Sequence, residues 1–252
     1  MINLKSLKKN PTKKKPAKKK SPKRSFISKV FRLIFFILIF FFGSTIFFTA
    51  AYRFINPPVT IFMISKTISQ SFKGESIILK KDWVKIENIS PNMVKAVIAA
   101  EDNLFVKHNG FDRKAIEKAI EHNKKGKKIR GASTISQQTA KNVFLWPQRS
   151  FFRKGLEVYF TFLIETFWSK ERIMEVYLNV IETGKGIYGV EKASSIYFRK
   201  KSKDLSRGEA ALIAASLPSP LKYSVTNPGP YMRSRQSQIM DLMDKIETLK
   251  ID

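Results

Sequence analysis

The chain has 252 residues, two His and no Cys, and its 47 Lys and Arg exceed its 20 Asp and Glu to give a formal net charge of +27. Without Cys, a disulfide framework, a zinc ribbon, an iron–sulfur cluster and thiol catalysis are excluded, and His108 and His122 cannot build a His-rich metal centre alone. The length allows one or two domains.

The charge is unevenly placed: residues 1–32 carry 13 Lys and Arg and no acid, and the first acidic residue is Glu75. This Lys- and Pro-rich stretch cannot bury a core and is expected to be a disordered tail. Leu33 to Tyr52 follows as 20 residues without a charge (LIFFILIFFFGSTIFFTAAY), and a helix of that length spans a hydrocarbon core of about 30 Å. Thr49-Ala50-Ala51 loosely resembles a leader-cleavage site, but signal peptides have apolar cores of only about 7–15 residues, so a transmembrane anchor is predicted over 33–52. Cations before the span, with only Arg53 just after it, predict a cytoplasmic N-terminus and an external remainder.

A basic run beside a membrane span serves topology and attraction to anionic membrane lipids, about 1 kcal/mol per Lys or Arg near the surface. No RNA-binding aromatic motif or zinc finger accompanies it, so nucleic acid is not an expected partner. Residues 53–252 still hold 34 Lys and Arg against 20 acids. That excess suits an anionic membrane face, a phosphate-bearing substrate or simple solubility.

Residues 53–89 read as an extended, membrane-proximal connector with one hairpin, from short β-favouring runs at Val59–Ile64 and Ser76–Leu79. From Ser90 the pattern turns helical. Ser90 caps and Pro91 opens a helix ending at Glu101, and Asp112 caps a second that breaks in the Gly/Lys-rich segment Lys124–Gly131. A third helix starts near Ser133, and long helical patterns follow over Phe151–Phe167 and Lys170–Ile181, the latter with Tyr177 in its apolar stripe. Gly184–Gly189 fits G-x-G-x-x-G, but it follows a helix rather than a strand, so it reads as a tight loop into a helix over Val190–Phe198 and not as a dinucleotide site. Ser206 and Glu209 form a capping box before a helix stopped by Pro218, and a last helix is predicted from Tyr231 to Leu249. Residues 90–252 thus form one mostly α domain.

Three segments are candidates for chemistry. Glu101-Asp102 lies where a helix gives way to a loop carrying Phe105 and His108, which can leave a carboxylate at the mouth of a cleft; most such pairs are merely solvated. In Gly131–Asn142, Ser133, Gln137 and Lys141 recur every fourth residue and are predicted to share a helical face suited to hydroxyls and phosphate, unless the helix simply presents a polar outer side. Arg149, Arg153, Lys154 and Glu157 follow. The pair Arg153/Glu157 reads either as a surface ion pair or as a carboxylate among cations that holds a diphosphate or divalent ion.

In this order, the blocks EDNLFVKHNG (101–110), GASTISQQTAKN (131–142), RKGLE (153–157), KERIMEVYLN (170–179) and GIYGVEKASSIYF (186–198) strongly resemble the peptidoglycan glycosyltransferases of glycosyltransferase family 51, in their monofunctional, membrane-anchored form. Ser136 stands where the family usually has Thr and Ser194 where it usually has Ala, and neither change removes a chemically essential group. The resemblance implies a mainly α, lysozyme-like domain with a small membrane-proximal region, and lipid II plus a growing glycan strand as substrates.

By motif it implies Glu101 as general base and Glu157 as second carboxylate. Lys141, Arg149 and Lys154 would serve the diphosphate, and Asp102, Phe105, His108, Ser133, Thr134, Gln137, Gln138, Asn142 and Arg153 would bind substrate. No cofactor is obligatory in this reading, with Mg²⁺ or Mn²⁺ as the ion Glu157 would help hold. Ser-x-x-Lys occurs at Ser6–Lys9 and Ser219–Lys222, but no Lys-Thr-Gly or Lys-Ser-Gly follows either, so no transpeptidase domain is expected, and cross-linking would come from transpeptidase or division and elongation partners. The expected location is the plasma membrane, single-pass. A lysozyme-like lytic muramidase and a non-catalytic membrane scaffold are the rival readings.

Overall fold

The computed structural model describes residues 26–126, 131–247 and 249. Most of the predicted tail, and residues 127–130 of the predicted Gly/Lys-rich break, lie outside these. Helix α1 (Phe26–Ala51) begins seven residues before the predicted span, taking in Lys29 and Arg32, and is long and apolar enough to cross a membrane. The chain divides into two units, Met1–Thr45 and Ile46–Asp252; the described part of the first is helical throughout.

The second unit is mainly helical. Its first residues are tied down by side chains of distant segments: the Trp168 indole donates to the Thr49 carbonyl at 2.7 Å, and the Arg172 guanidinium donates to the carbonyls of Tyr52 and Ile55 at 2.9 and 3.0 Å. Helix α2 (Ile61–Phe72) then occupies the segment expected to be extended. Thr60 starts it by accepting from the Met63 amide, and Phe62 and Met63 bury one side. Ile61, Ile64, Ile68 and Phe72 are exposed apolar residues on the rest of the helix. Apolar residues on several faces blur the amphipathic period, which is why the segment reads as β-favouring runs.

Strand β1 (Lys80–Lys81) is the only extended piece of the predicted connector to join a sheet among the described residues. The predicted hairpin is instead formed by β2 (Glu182–Gly184) and β3 (Ile187–Tyr188), with β3 in the middle of the order β1-β3-β2, parallel to β1 and antiparallel to β2. Lys66 of α2 reaches Glu182 of β2 at 3.3 Å, joining the two regions.

Gly186 turns this hairpin with a φ of +68°, and a Cβ there would lie 2.3 Å from the Ile78 carbonyl oxygen. Neither the left-handed backbone nor backbone-on-backbone contact can be relieved by a rotamer change. Gly186→Ala is therefore expected to cost more than about 1 kcal/mol, and a thermal melt that matches wild type would contradict the close approach.

The core is built around two helices with almost no exposed face. Helix α3 (Pro91–Glu101) is capped by Ser90 and buries Met93, Val94 and Ala96–Ala99; α9 (Arg207–Ser216), opened by the Ser206/Glu209 capping box, buries all of Ala210–Ser216. Alanines on α9 let it approach α3 closely, and α10 (Pro230–Met243) packs on both. The chain leaves helix six residues before the predicted end at Leu249.

Helix α4 (Arg113–Lys124), capped by Asp112, is largely exposed, burying only Ala119. Helix α5 (Ile135–Phe144) is the hub of the other half, packing on α2, on α6 (Phe151–Phe167) and on α7 (Lys170–Val180); α8 (Val190–Phe198) follows the hairpin. The site lies where α3 ends against α5.

Candidate active site

Helix α3 stops because Asp102 turns its side chain inward. The buried carboxylate accepts from the Ile135 amide at 3.0 Å and meets His108 Nε2 at 2.9 Å, clamping the end of α3 to the start of α5 and drawing the loop after α3 back on itself. Thr134 donates to the Gly110 carbonyl at 2.7 Å, and Thr134 and Gln137 close a capping box through the Gln137 Oε1 contact with the Thr134 amide at 3.0 Å. Phe105 is fully buried beneath, with the Lys170 ammonium 4.7 Å from its ring centroid.

Asp102, Phe105, His108, Thr134 and Gln137 thus all have internal partners that build the junction. Helix α5 begins at Ile135, so Ser133 precedes it as an exposed residue and does not share a helical face with Gln137 and Lys141.

The junction leaves Glu101 half-buried at the last helical position of α3. Gln138 of α5 donates Nε2 to Glu101 Oε2 at 2.7 Å, and the Tyr177 hydroxyl of α7 donates to Gln138 Oε1 at 3.3 Å. From α10, Arg235 donates to the Ala100 carbonyl at 3.0 Å. Burial raises the Glu101 carboxyl above the ordinary value, and Asp102 adds to this; the Gln138 hydrogen bond, Arg235 and Lys141 pull it back. A carboxylate destabilised by burial yet held by one donor is a stronger base than a solvated one.

Lys141 lies one turn beyond Gln138, its ammonium 5.9 Å from the Phe62 ring centroid. Burial lowers its pKa; Arg153 and Arg149 lower it further, while Glu157 and Glu101 oppose this. Lys141 therefore stands electrically between the two carboxylates. On α6, Glu157 accepts from Arg153 Nη1 at 3.0 Å and from Lys154 Nζ at 2.6 Å.

Only 8% and 3% of Arg153 and Glu157 are exposed, so the i, i+4 pair is not at the surface. A surface pair contributes a few tenths of a kcal/mol, whereas removing one partner of a buried pair costs about 3–5 kcal/mol. The Nε of Arg153 and the Nδ2 of Asn142 are buried without a partner. Arg149 and Lys154 are exposed beside them.

No group of three or more His, Asp or Glu side chains placed to hold a metal ion occurs among the described residues. Both oxygens of Glu157 are already taken by cations. In this arrangement Glu157 serves Arg153 and Lys154 and presents no unengaged oxygen to a divalent ion.

Sequence patterns did not single out Tyr177 or Arg235. Tyr177 reads as one more apolar-stripe residue, with only its hydroxyl to distinguish it, and Arg235 acts across 135 residues of sequence separation without a local signal.

A buried carboxylate of raised basicity on one side and a bank of cations on the other suit chemistry that activates a hydroxyl and draws charge onto an anionic leaving group. The chain belongs to the transglycosylase family, whose model matches residues 69–244. It is similar to the biosynthetic peptidoglycan transglycosylase of Bacteroides thetaiotaomicron, 54% identical over 205 residues, covering 81% of this chain and 83% of the relative. The protein of that name from Bdellovibrio bacteriovorus is 53% identical over 200 residues (79% and 80%), and that from Pseudomonas aeruginosa 47% over 200 (79% and 86%).

Proposed function

We propose that the protein polymerises lipid II into linear glycan strands, with Glu101 as general base. The observation that carries this is the Glu101 carboxylate, raised in basicity by burial, with Lys141 between it and the Arg153–Glu157–Lys154 group. Glu101 removes the proton from the 4-hydroxyl of the incoming lipid II. The oxygen attacks the anomeric carbon of the strand's terminal MurNAc with inversion, and the bond to polyprenyl diphosphate breaks. The new link is β-1,4, and the proton rests on Glu101 until solvent takes it.

The diphosphate leaves as a stable anion, so this site requires cations where a muramidase requires a carboxylic acid to protonate an alkoxide. Lys141, Arg149 and Lys154 supply that charge, and Arg153 holds Glu157, which in turn fixes Lys154. Ser133 and Asn142 are assigned to sugar or phosphate oxygens. Given lipid II, the purified protein should release polyprenyl diphosphate in step with glycan formation. Soluble muropeptides released from purified cell wall would instead support the lytic reading.

Helix α1 supplies the anchor that keeps the enzyme in the plane where a polyprenyl-linked substrate diffuses. We place the N-terminus in the cytoplasm and the catalytic unit outside, from the cations that precede the helix. A reporter enzyme that works only outside the cytoplasm, fused after residue 252, should be active; silence would reverse the topology.

A further inference from the structure

We propose that Tyr177 is a positioning residue that acts through Gln138 to hold Glu101 as an oriented carboxylate; this rests on Glu101 being the base of the proposed reaction. A glutamine amide has a donor end and an acceptor end of nearly the same shape, and which end faces a carboxyl decides which protonation state is favoured. Here the donor end faces Glu101, at 2.7 Å, and the acceptor end faces the Tyr177 hydroxyl, at 3.3 Å.

Tyr177 is fully buried on α7. Burial, with the charges of Glu101 and Asp102, raises its phenol well above the ordinary value, so it remains a hydrogen donor across any working pH. With that proton fixed in place, Gln138 has one orientation in which every group is satisfied, and it is the one that presents N–H to Glu101. A protonated Glu101 would donate most readily to the amide oxygen, which requires Gln138 to rotate by about half a turn and lose the Tyr177 bond. The chain of donors therefore favours the base form and fixes the direction of one of its oxygens.

The remaining charges facing Glu101 come from separate elements: Asp102 beside it, Lys141 on α5 and Arg235 on α10. Tyr177→Phe leaves all three unchanged and removes one oxygen from a packed ring. A shift in Glu101 titration in that variant is thereby assigned to the relay.

The experiment uses the full-length protein in detergent with labelled lipid II, recording kcat/KM against pH for wild type and Tyr177→Phe. The acid limb should move to higher pH by about one unit in the variant, a rate loss of about tenfold at pH values below the limb. KM should change little. An unchanged acid limb, with or without a uniform fall in rate, would overturn the relay and leave the hydroxyl a packing role.

The Glu101 carboxyl band, isolated by infrared difference between wild type and Glu101→Gln, gives the same titration without turnover. If wild type makes no polymer, the functional reading fails, yet an upward shift of that band in Tyr177→Phe would still establish the relay. Should the phenylalanine variant not fold, Gln138→Met breaks the chain from its other end. An unshifted Glu101 band there would overturn the proposal.

Discussion

Glu101→Gln is expected to reduce polymerisation by about 10²–10⁴-fold, the contribution typical of a positioned general base. Glutamine keeps the shape of the side chain but cannot take a proton, so lipid II should still bind and the loss should fall on kcat. Folding should survive the change. The folded-state pKa of Glu101 is raised, chiefly by burial, so its ionised form is disfavoured by folding once the pH passes the ordinary carboxylate value. A neutral glutamine removes that penalty at neutral pH, and the variant should melt at the wild-type temperature or above it. The advantage should vanish in acid, where the wild-type carboxyl is also neutral in both states. Near-normal polymerisation by this variant would remove Glu101 from the role of base.

Lys141→Ala is expected to lower kcat by about 10²-fold or more, as for loss of one pre-organised charge at a developing anion. Burial depresses the pKa of this ammonium even with Glu157 and Glu101 nearby, so the folded protein holds the charged form at a cost that no structural duty explains. Its contact with the Phe62 ring, at 5.9 Å, is a modest one. The melting temperature should accordingly stay near wild type while turnover falls. A collapsed melt with turnover preserved in the folded fraction would return Lys141 to a structural role and place the leaving-group charge on Arg149 and Lys154.

Much of the helical scaffold was legible because its start signals are local. Ser90-Pro91, Asp112 and the Ser206/Glu209 box each cap the helix predicted for them, since a hydroxyl or carboxylate meets amides only two or three residues away. Helix α2 was not legible, although Thr60 caps it in the same way, because apolar residues on its exposed and buried sides hide the period. The sheet was misplaced for a different reason: β1 pairs with β3 across more than a hundred residues, and two- or three-residue strands carry almost no pattern of their own.

At the site, motif placed Glu101, Gln138, Lys141 and Glu157 within one electrostatic neighbourhood. What it could not give was the direction of each side chain. Gln137 and Gln138 are adjacent and chemically identical, yet the first closes the α5 cap and the second grips Glu101. Arg153 and Glu157 look like a surface pair by spacing alone, and only the packing of α6 on α5 buries them.

The most direct test of the proposed chemistry is a gel of labelled lipid II incubated with full-length wild type and with Glu101→Gln, side by side in detergent. Wild type should give a ladder that a muramidase digests, and the variant should give none while retaining its fold. Polymer from both proteins would contradict the assignment of the base, and no polymer from folded wild type, with divalent metal supplied, would contradict the glycosyl-transfer function itself.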